Sequence, residues 1–180
     1  MIIKFKPSFS IFILCLFGAF NLCAQEVYDK YYTSIVSADF LSDDNLKNRI
    51  DLSDFDLHFL NAAVFHLSNV ERSHADLPLF GFYDNLYKSA VLHSESMIEY
   101  DYFDHVNRIK KKWRTPKERI FYFDDSYRSI AENILENNLL EHEGEILKYR
   151  TVKNSDGTLL YLDLNGNEIK YGSYLYIAKR

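Results

Sequence analysis

Asp84-Asn85-Leu86-Tyr87-Lys88-Ser89-Ala90-Val91-Leu92-His93-Ser94-Glu95-Ser96-Met97 is the stretch from which the fold is read. Leu86, Ala90, His93 and Met97 follow at steps of four, three and four, so all four share one face of a helix opened by Asp84. A histidine in such an apolar row is expected to pack in or beside the core with its ring hydrogen-bonded. Ser94 adjoins it in sequence, but neighbouring helix residues point apart, so the two form no nucleophilic pair. The helix runs out between Tyr100 and His105.

Upstream, Asp54 is placed to cap a helix carrying Phe55 through Ala75, with Leu60, Ala63, Val64, Leu67 and Val70 at helical spacing. Leu77-Pro78-Leu79 ends it and turns the chain. Downstream, Thr115-Pro116-Lys117-Glu118 combines a cap hydroxyl, a proline in the first turn and an acid at the third position, which predicts a brief helix through Phe121. From Ile146 the period changes: Ile146 to Val152, Thr158 to Leu164 and Ile169 to Tyr171 read as strands. Asn154-Ser155-Asp156-Gly157 and Asn165-Gly166-Asn167 are the turns between them. The reading is a three-stranded meander, or a hairpin with a tail. Ser173 then caps a last helical stretch with Tyr174, Leu175, Ile177 and Ala178.

The first residues read as an export signal. Lys4 and Lys6 are a positive start, Ile11 to Phe20 an apolar run, and Asn21-Leu22-Cys23-Ala24 leads to a cut before Gln25. The run is about ten residues, short of the roughly 20 that span a bilayer. Cys23 as an acylated lipoprotein residue is the weaker alternative, because Phe20-Asn21-Leu22 lacks the small residues expected before it. Cys15 and Cys23 both lie in this segment, so the remainder offers no disulfide and no thiol nucleophile. Removing Met1 to Ala24 takes Lys+Arg from 21 to 19 against 26 Asp+Glu, a net charge of −7 on 156 residues. That acidity argues against a nucleic-acid partner. An aromatic content of 16% argues for a packed core over disorder. Residues 25–51 read as a lead-in with one short helix.

Four stretches together resemble the bacterial branch of the CAP superfamily, the cysteine-rich secretory, antigen-5 and pathogenesis-related group, also called the SCP domain. Leu60-Asn61-x-Ala63 through Glu71-Arg72 and Leu77-Pro78-Leu79 resemble its opening helix and "LPPL" turn. Leu86-x-x-x-Ala90-x-x-His93-Ser94-x-x-Met97 is similar to its "L…A..HS..M" helix, Tyr102-Phe103-Asp104-His105 to "YFSH", and Ile130-Ala131-Glu132-Asn133-Ile134 to "GENI". Thr115-Pro116-x-x-Arg119 falls where the family has "TP..R". Ala131 stands in place of the family glycine and Asp104 in place of its serine. The family's tryptophan helix, "GHR.N" segment and closing strands have no counterpart here. The resemblance therefore implies an α+β fold, an incomplete CAP-like three-layer α-β-α sandwich with an inserted β-meander. The implied layout is a signal peptide over 1–24, a lead-in over 25–51 and a partial CAP-like domain over 52–180.

The resemblance also assigns His105 and Glu132 to a shared cavity, with His93 beside them. A carboxylate facing an imidazole favours the charged histidine and can hold a proton or a divalent metal. Zinc wants three or four protein donors, so two candidates, His105 and Glu132, predict weak metal binding at most. The ordinary alternatives are a surface histidine at a helix end and an exposed acid. His58, His66 and His74 recur every eight residues and drift around their helix. His142-Glu143 is a chance pair, and no His-Glu-x-x-His motif or glycine-rich phosphate loop occurs. Arg108 to Lys117 is a basic run enclosing Trp113, read as a solvated loop; the sharper reading is contact with anionic cell-wall polymers or lipid headgroups. The expected function is an exported binding protein for a lipid, another apolar ligand or a surface partner. A metal-assisted extracellular hydrolase using His105 and Glu132 is the alternative, as is a half domain inactive alone.

Overall fold

The fold is α+β. The computed structural model describes the main chain of 3–5 and residues 29–124, 126, 129–142 and 148–180. The apolar run 11–20, Cys15, Cys23, the cut before Gln25, Glu143 and Ile146 lie outside the described residues. In chain order the regular elements are β1 (Ile3–Phe5), α1 (Ser37–Leu41), α2 (Leu57–His74), α3 (Asp84–Glu99), α4 (Pro116–Phe121), β2 (Leu135–Asn137), β3 (Arg150–Lys153), β4 (Leu159–Leu162) and α5 (Tyr174–Ala178). They form two compact units, one holding β1, α3, α4 and β2, the other α1, α2, β3, β4 and α5.

In the second of these units α2 is the central element. Asp56, not Asp54, caps it: the carboxylate accepts the Phe59 N–H at 2.8 Å, while Asp54 sits in a preceding 3-10 turn. Of the apolar stripe predicted on this helix, Leu60, Ala63 and Val64 are buried together with Ala62, while Leu67 and Val70 are half-buried. The 29–51 stretch supplies much of what covers it. Phe40 stacks on the His66 ring at 4.4 Å and lies 5.4 Å from Phe59. Leu46 and Ile50 are also buried. His66 is a core residue that its eight-residue spacing did not reveal. Its Nε2–H donates to the Tyr31 carbonyl at 2.7 Å, and Nδ1 accepts from the Ser37 hydroxyl at 3.0 Å. The helix ends in a left-handed Asp76 (φ 53°), with Leu77 N–H returning to the Arg72 carbonyl at 2.8 Å. Buried Asn69 then bonds both the N–H and the carbonyl of Phe80 and fixes the following turn.

Short α5 docks on α2 through Tyr174, whose ring lies edge-on to Phe59 at 5.1 Å and whose hydroxyl accepts the Asp56 N–H. Gly172 sits at the junction, its carbonyl taking the Ile50 N–H and its N–H reaching the Leu139 carbonyl. A Cβ here would lie 2.5 Å from the Tyr176 ring, so the approach requires glycine. The expected strand region is a hairpin with a tail: β3 and β4 pair antiparallel, Arg150 opposite Leu162 and Lys153 opposite Leu159. Gly157 and Gly166 both take positive φ (89° and 90°) in the two predicted turns. The third run, Ile169 to Tyr171, is no strand along its length: the Ile169 N–H donates to the Tyr161 carbonyl of β4 at 2.7 Å, the Lys170 carbonyl accepts the Glu141 N–H at 2.9 Å, and Tyr171 bridges Leu140.

In the other unit α3 buries Ser89, His93, Ser96 and Met97. The buried stripe is turned from the sequence reading, since Leu86 and Ala90 are only half-buried. This helix closes as α2 does. Asp101 is left-handed (φ 48°), and the Tyr102 N–H returns to the Met97 carbonyl at 3.1 Å. The predicted capping box of α4 is complete, with Thr115 and Glu118 bonding each other's main-chain N–H. A feature absent from the sequence reading is β2, which pairs in parallel with β1, Ile3 opposite Leu135. That pairing draws on the stretch read as a leader and belongs to the uncut chain.

Candidate functional site

Glu132 is the centre of the site, and Arg119 holds it. Arg119 lies on α4 with its side chain fully buried, one position after the exposed Glu118 of the capping box. Its Nη2 donates to both carboxylate oxygens of Glu132, at 2.8 and 2.6 Å, and to the His105 carbonyl at 3.0 Å. Its Nη1 donates to the carbonyls of Trp113 and Arg114 at 3.1 and 3.2 Å. A buried guanidinium needs a counter-charge and acceptors, and here one acid and three main-chain carbonyls provide them. The Nε of Arg119 makes no hydrogen bond among the described residues.

His105 reaches the same carboxylate from the loop after α3. Its Nδ1 lies 2.9 Å from Glu132 Oε1, and its side chain is half exposed while that of Glu132 is largely covered. The ring nitrogen beside a carboxylate that has no hydrogen of its own must be the N–H, so Nδ1 donates and Nε2 carries the lone pair in the neutral ring. The loop is shaped by Asp104, whose carboxylate accepts the Val106 N–H at 2.9 Å. Its carboxyl stays below its usual range chiefly through that bond.

His93 approaches from α3, completely buried, with Nε2 3.9 Å from Glu132 Oε1. It is not a hydrogen-bond partner of Glu132, because Nε2 is spent on the Asp104 carbonyl at 3.0 Å. Nδ1 accepts from the Tyr102 hydroxyl at 3.4 Å. Burial holds this imidazole below its ordinary range, and nearby Arg119 adds to the effect against the opposing pull of Glu132. His93 is thus a neutral core histidine that ties α3 to the loop carrying His105.

The structure brings His93, His105 and Glu132 to one place, and adds Arg119. The sequence reading placed Arg119 in a short helix motif without giving it a role. The signal was available: an arginine four residues after a proline-primed cap, beside the apolar Ile120, sits on the face such a helix buries. As a metal centre the arrangement is poor in donors. Among the described residues no three His, Cys, Asp or Glu side chains are grouped as a metal would require. Three of about four lone-pair directions on Glu132 are already taken by Arg119 and His105. Ser94 is half-buried on α3 and enters none of these contacts.

Among the described residues no helix is long and apolar enough to cross a membrane. Comparison of the chain with protein-family models, with curated proteins and with solved structures finds no match in any of the three.

Proposed function

We propose that this chain is an exported CAP-like module that works by binding, with His105 as the polar group that meets the ligand. The observation that carries this reading is the double contact of buried Arg119 with both oxygens of Glu132. A carboxylate committed in this way acts as a fixed support. It turns the His105 ring and leaves the lone pair of Nε2 for an incoming hydroxyl or acid group. Phe103, two residues earlier and 44% exposed, offers apolar surface on the same loop. An apolar ligand with one hydroxyl or carboxyl head matches that pairing of surfaces. A sterol or a long-chain fatty acid has this chemistry, in keeping with the resemblance to the CAP group.

Titration with a fluorescent sterol and a fluorescent fatty acid tests the reading. Binding of either that weakens at least about fivefold in His105→Ala supports it. No saturable binding of either, or binding indifferent to His105, removes it.

One observation favours a second reading. A carboxylate bonded to Nδ1 with Nε2 facing outward is also how a general base is oriented. In that reading the module is a hydrolase in which His105 activates water, and His105→Ala abolishes turnover of ester substrates. Zinc would then bind weakly at most, since His105 and Glu132 are two donors where three are needed.

A further inference from the structure

Residues 108–117 hold six cations and no acid, in a chain whose overall charge is −5. The segment is a built loop. Its ends meet where the Asn107 N–H donates to the Arg114 carbonyl at 2.8 Å. Asn107 is itself buried; its Oδ1 accepts the N–H groups of Ile109 and Lys110, and its Nδ2 donates to Ser96 of α3 at 2.7 Å. Arg119 clamps the far side through the Trp113 and Arg114 carbonyls. The main chain therefore has a fixed shape, and Arg108, Lys110, Lys111, Lys112, Arg114 and Lys117 are displayed from it exposed. Little neutralises them. Asp104 pairs with Arg108 at 3.2 Å, and Glu118 is spent in the capping box. Lys111 has no ion-pair or hydrogen-bond partner among the described residues.

Apolar groups are interleaved with these charges. Ile109, at the first turn of the loop, is 49% exposed although its N–H is fixed. Tyr122, also 49% exposed, lies under the Lys112 ammonium at 4.1 Å, and exposed Phe121 lies under Lys117 at 5.1 Å. A solvated polyanion gains from the lysines alone. A bilayer surface gains from both kinds of group, because anionic headgroups attract the cations while an aliphatic or aromatic side chain enters the interfacial layer. We infer that the exposed side chains of the 108–122 segment form a docking surface for anionic lipid bilayers, while buried Arg119 of the same segment belongs to the His105–Glu132 site.

Flotation of the full chain with vesicles tests this, using phosphatidylcholine alone and phosphatidylcholine mixed with phosphatidylglycerol. Wild type and variants carry the same amino-terminal segment, so any contribution of 11–20 is common to all. The loop predicts partition onto the anionic vesicles that weakens as salt is raised. At roughly fivefold per cation, neutralising Lys110, Lys111 and Lys112 to Gln lowers it by about a hundredfold. Ile109→Ser lowers it several-fold without changing the salt dependence, and circular dichroism confirms that each variant remains folded. Equal partition of wild type and the triple Gln variant overturns the inference. So does full displacement by soluble polyphosphate together with no effect of Ile109→Ser, which would identify a soluble polyanion as the partner.

Discussion

Among single residues, His93 and His105 differ in which ring nitrogen carries the proton. For His105 the Glu132 carboxylate 2.9 Å from Nδ1 requires that nitrogen to be the N–H in the neutral ring. For His93 the Asp104 carbonyl 3.0 Å from Nε2 requires the opposite tautomer. Nitrogen chemical shifts of the two rings above neutral pH are expected to differ accordingly, and Glu132→Ala should release His105 from its form while leaving His93 in its own. Identical tautomers in both rings would contradict the geometry. The motifs named His105 and Glu132 because their residue types and order are visible in sequence. They did not name the role of Arg119, because a buried arginine is recognised by the acceptors that gather around it, and the carbonyls of His105, Trp113 and Arg114 converge on it only in the folded chain.

At the scale of elements, legibility followed how local the cause was. The Thr115 to Glu118 capping box formed as read, because its bonds close within four residues. The two glycine turns did so for the same reason. Helix α2 was found from its period, but its cap moved from Asp54 to Asp56, since a 3-10 turn over Leu52–Asp54 has Asp51 as its own cap. The third strand is only begun, because once Ile169 has bonded the Tyr161 carbonyl of β4 the next two residues take partners at Glu141 and Leu140 instead. Gly172 was invisible in the same way, as its need is set by the ring four residues on. That ring is pinned, the Tyr176 hydroxyl donating to the His142 carbonyl at 2.7 Å and accepting its N–H at 2.9 Å. Gly172→Ala should therefore cost about 1–3 kcal/mol in denaturant unfolding, the range for a clash in packed surroundings. A loss below a few tenths would show that α5 does not dock as described.

At the scale of the whole molecule, both units contain a buried histidine kept neutral. Burial holds His66 and His93 below the ordinary value of 6.5, in His66 against the pull of its bond to the Tyr31 carbonyl. The unfolded chain takes up protons near pH 6.5 while these two folded rings do not. Their contribution is thus intact above that pH and lost as pH falls below it, at up to about 1.4 kcal/mol per pH unit for each ring until the folded ring protonates. Unfolding midpoints followed downward from pH 7 should fall, and His93→Gln should flatten the fall in its own unit. A profile unchanged between wild type and His93→Gln would contradict the neutral core assignment. The joining of buried Arg119 to Glu132, on which the placement of His105 rests, is measured by a double-mutant unfolding cycle with Arg119→Met and Glu132→Gln. Each single change strands a buried group and is expected to cost about 3–5 kcal/mol, with the double variant losing well under the sum. Strictly additive losses would mean that the two side chains do not meet.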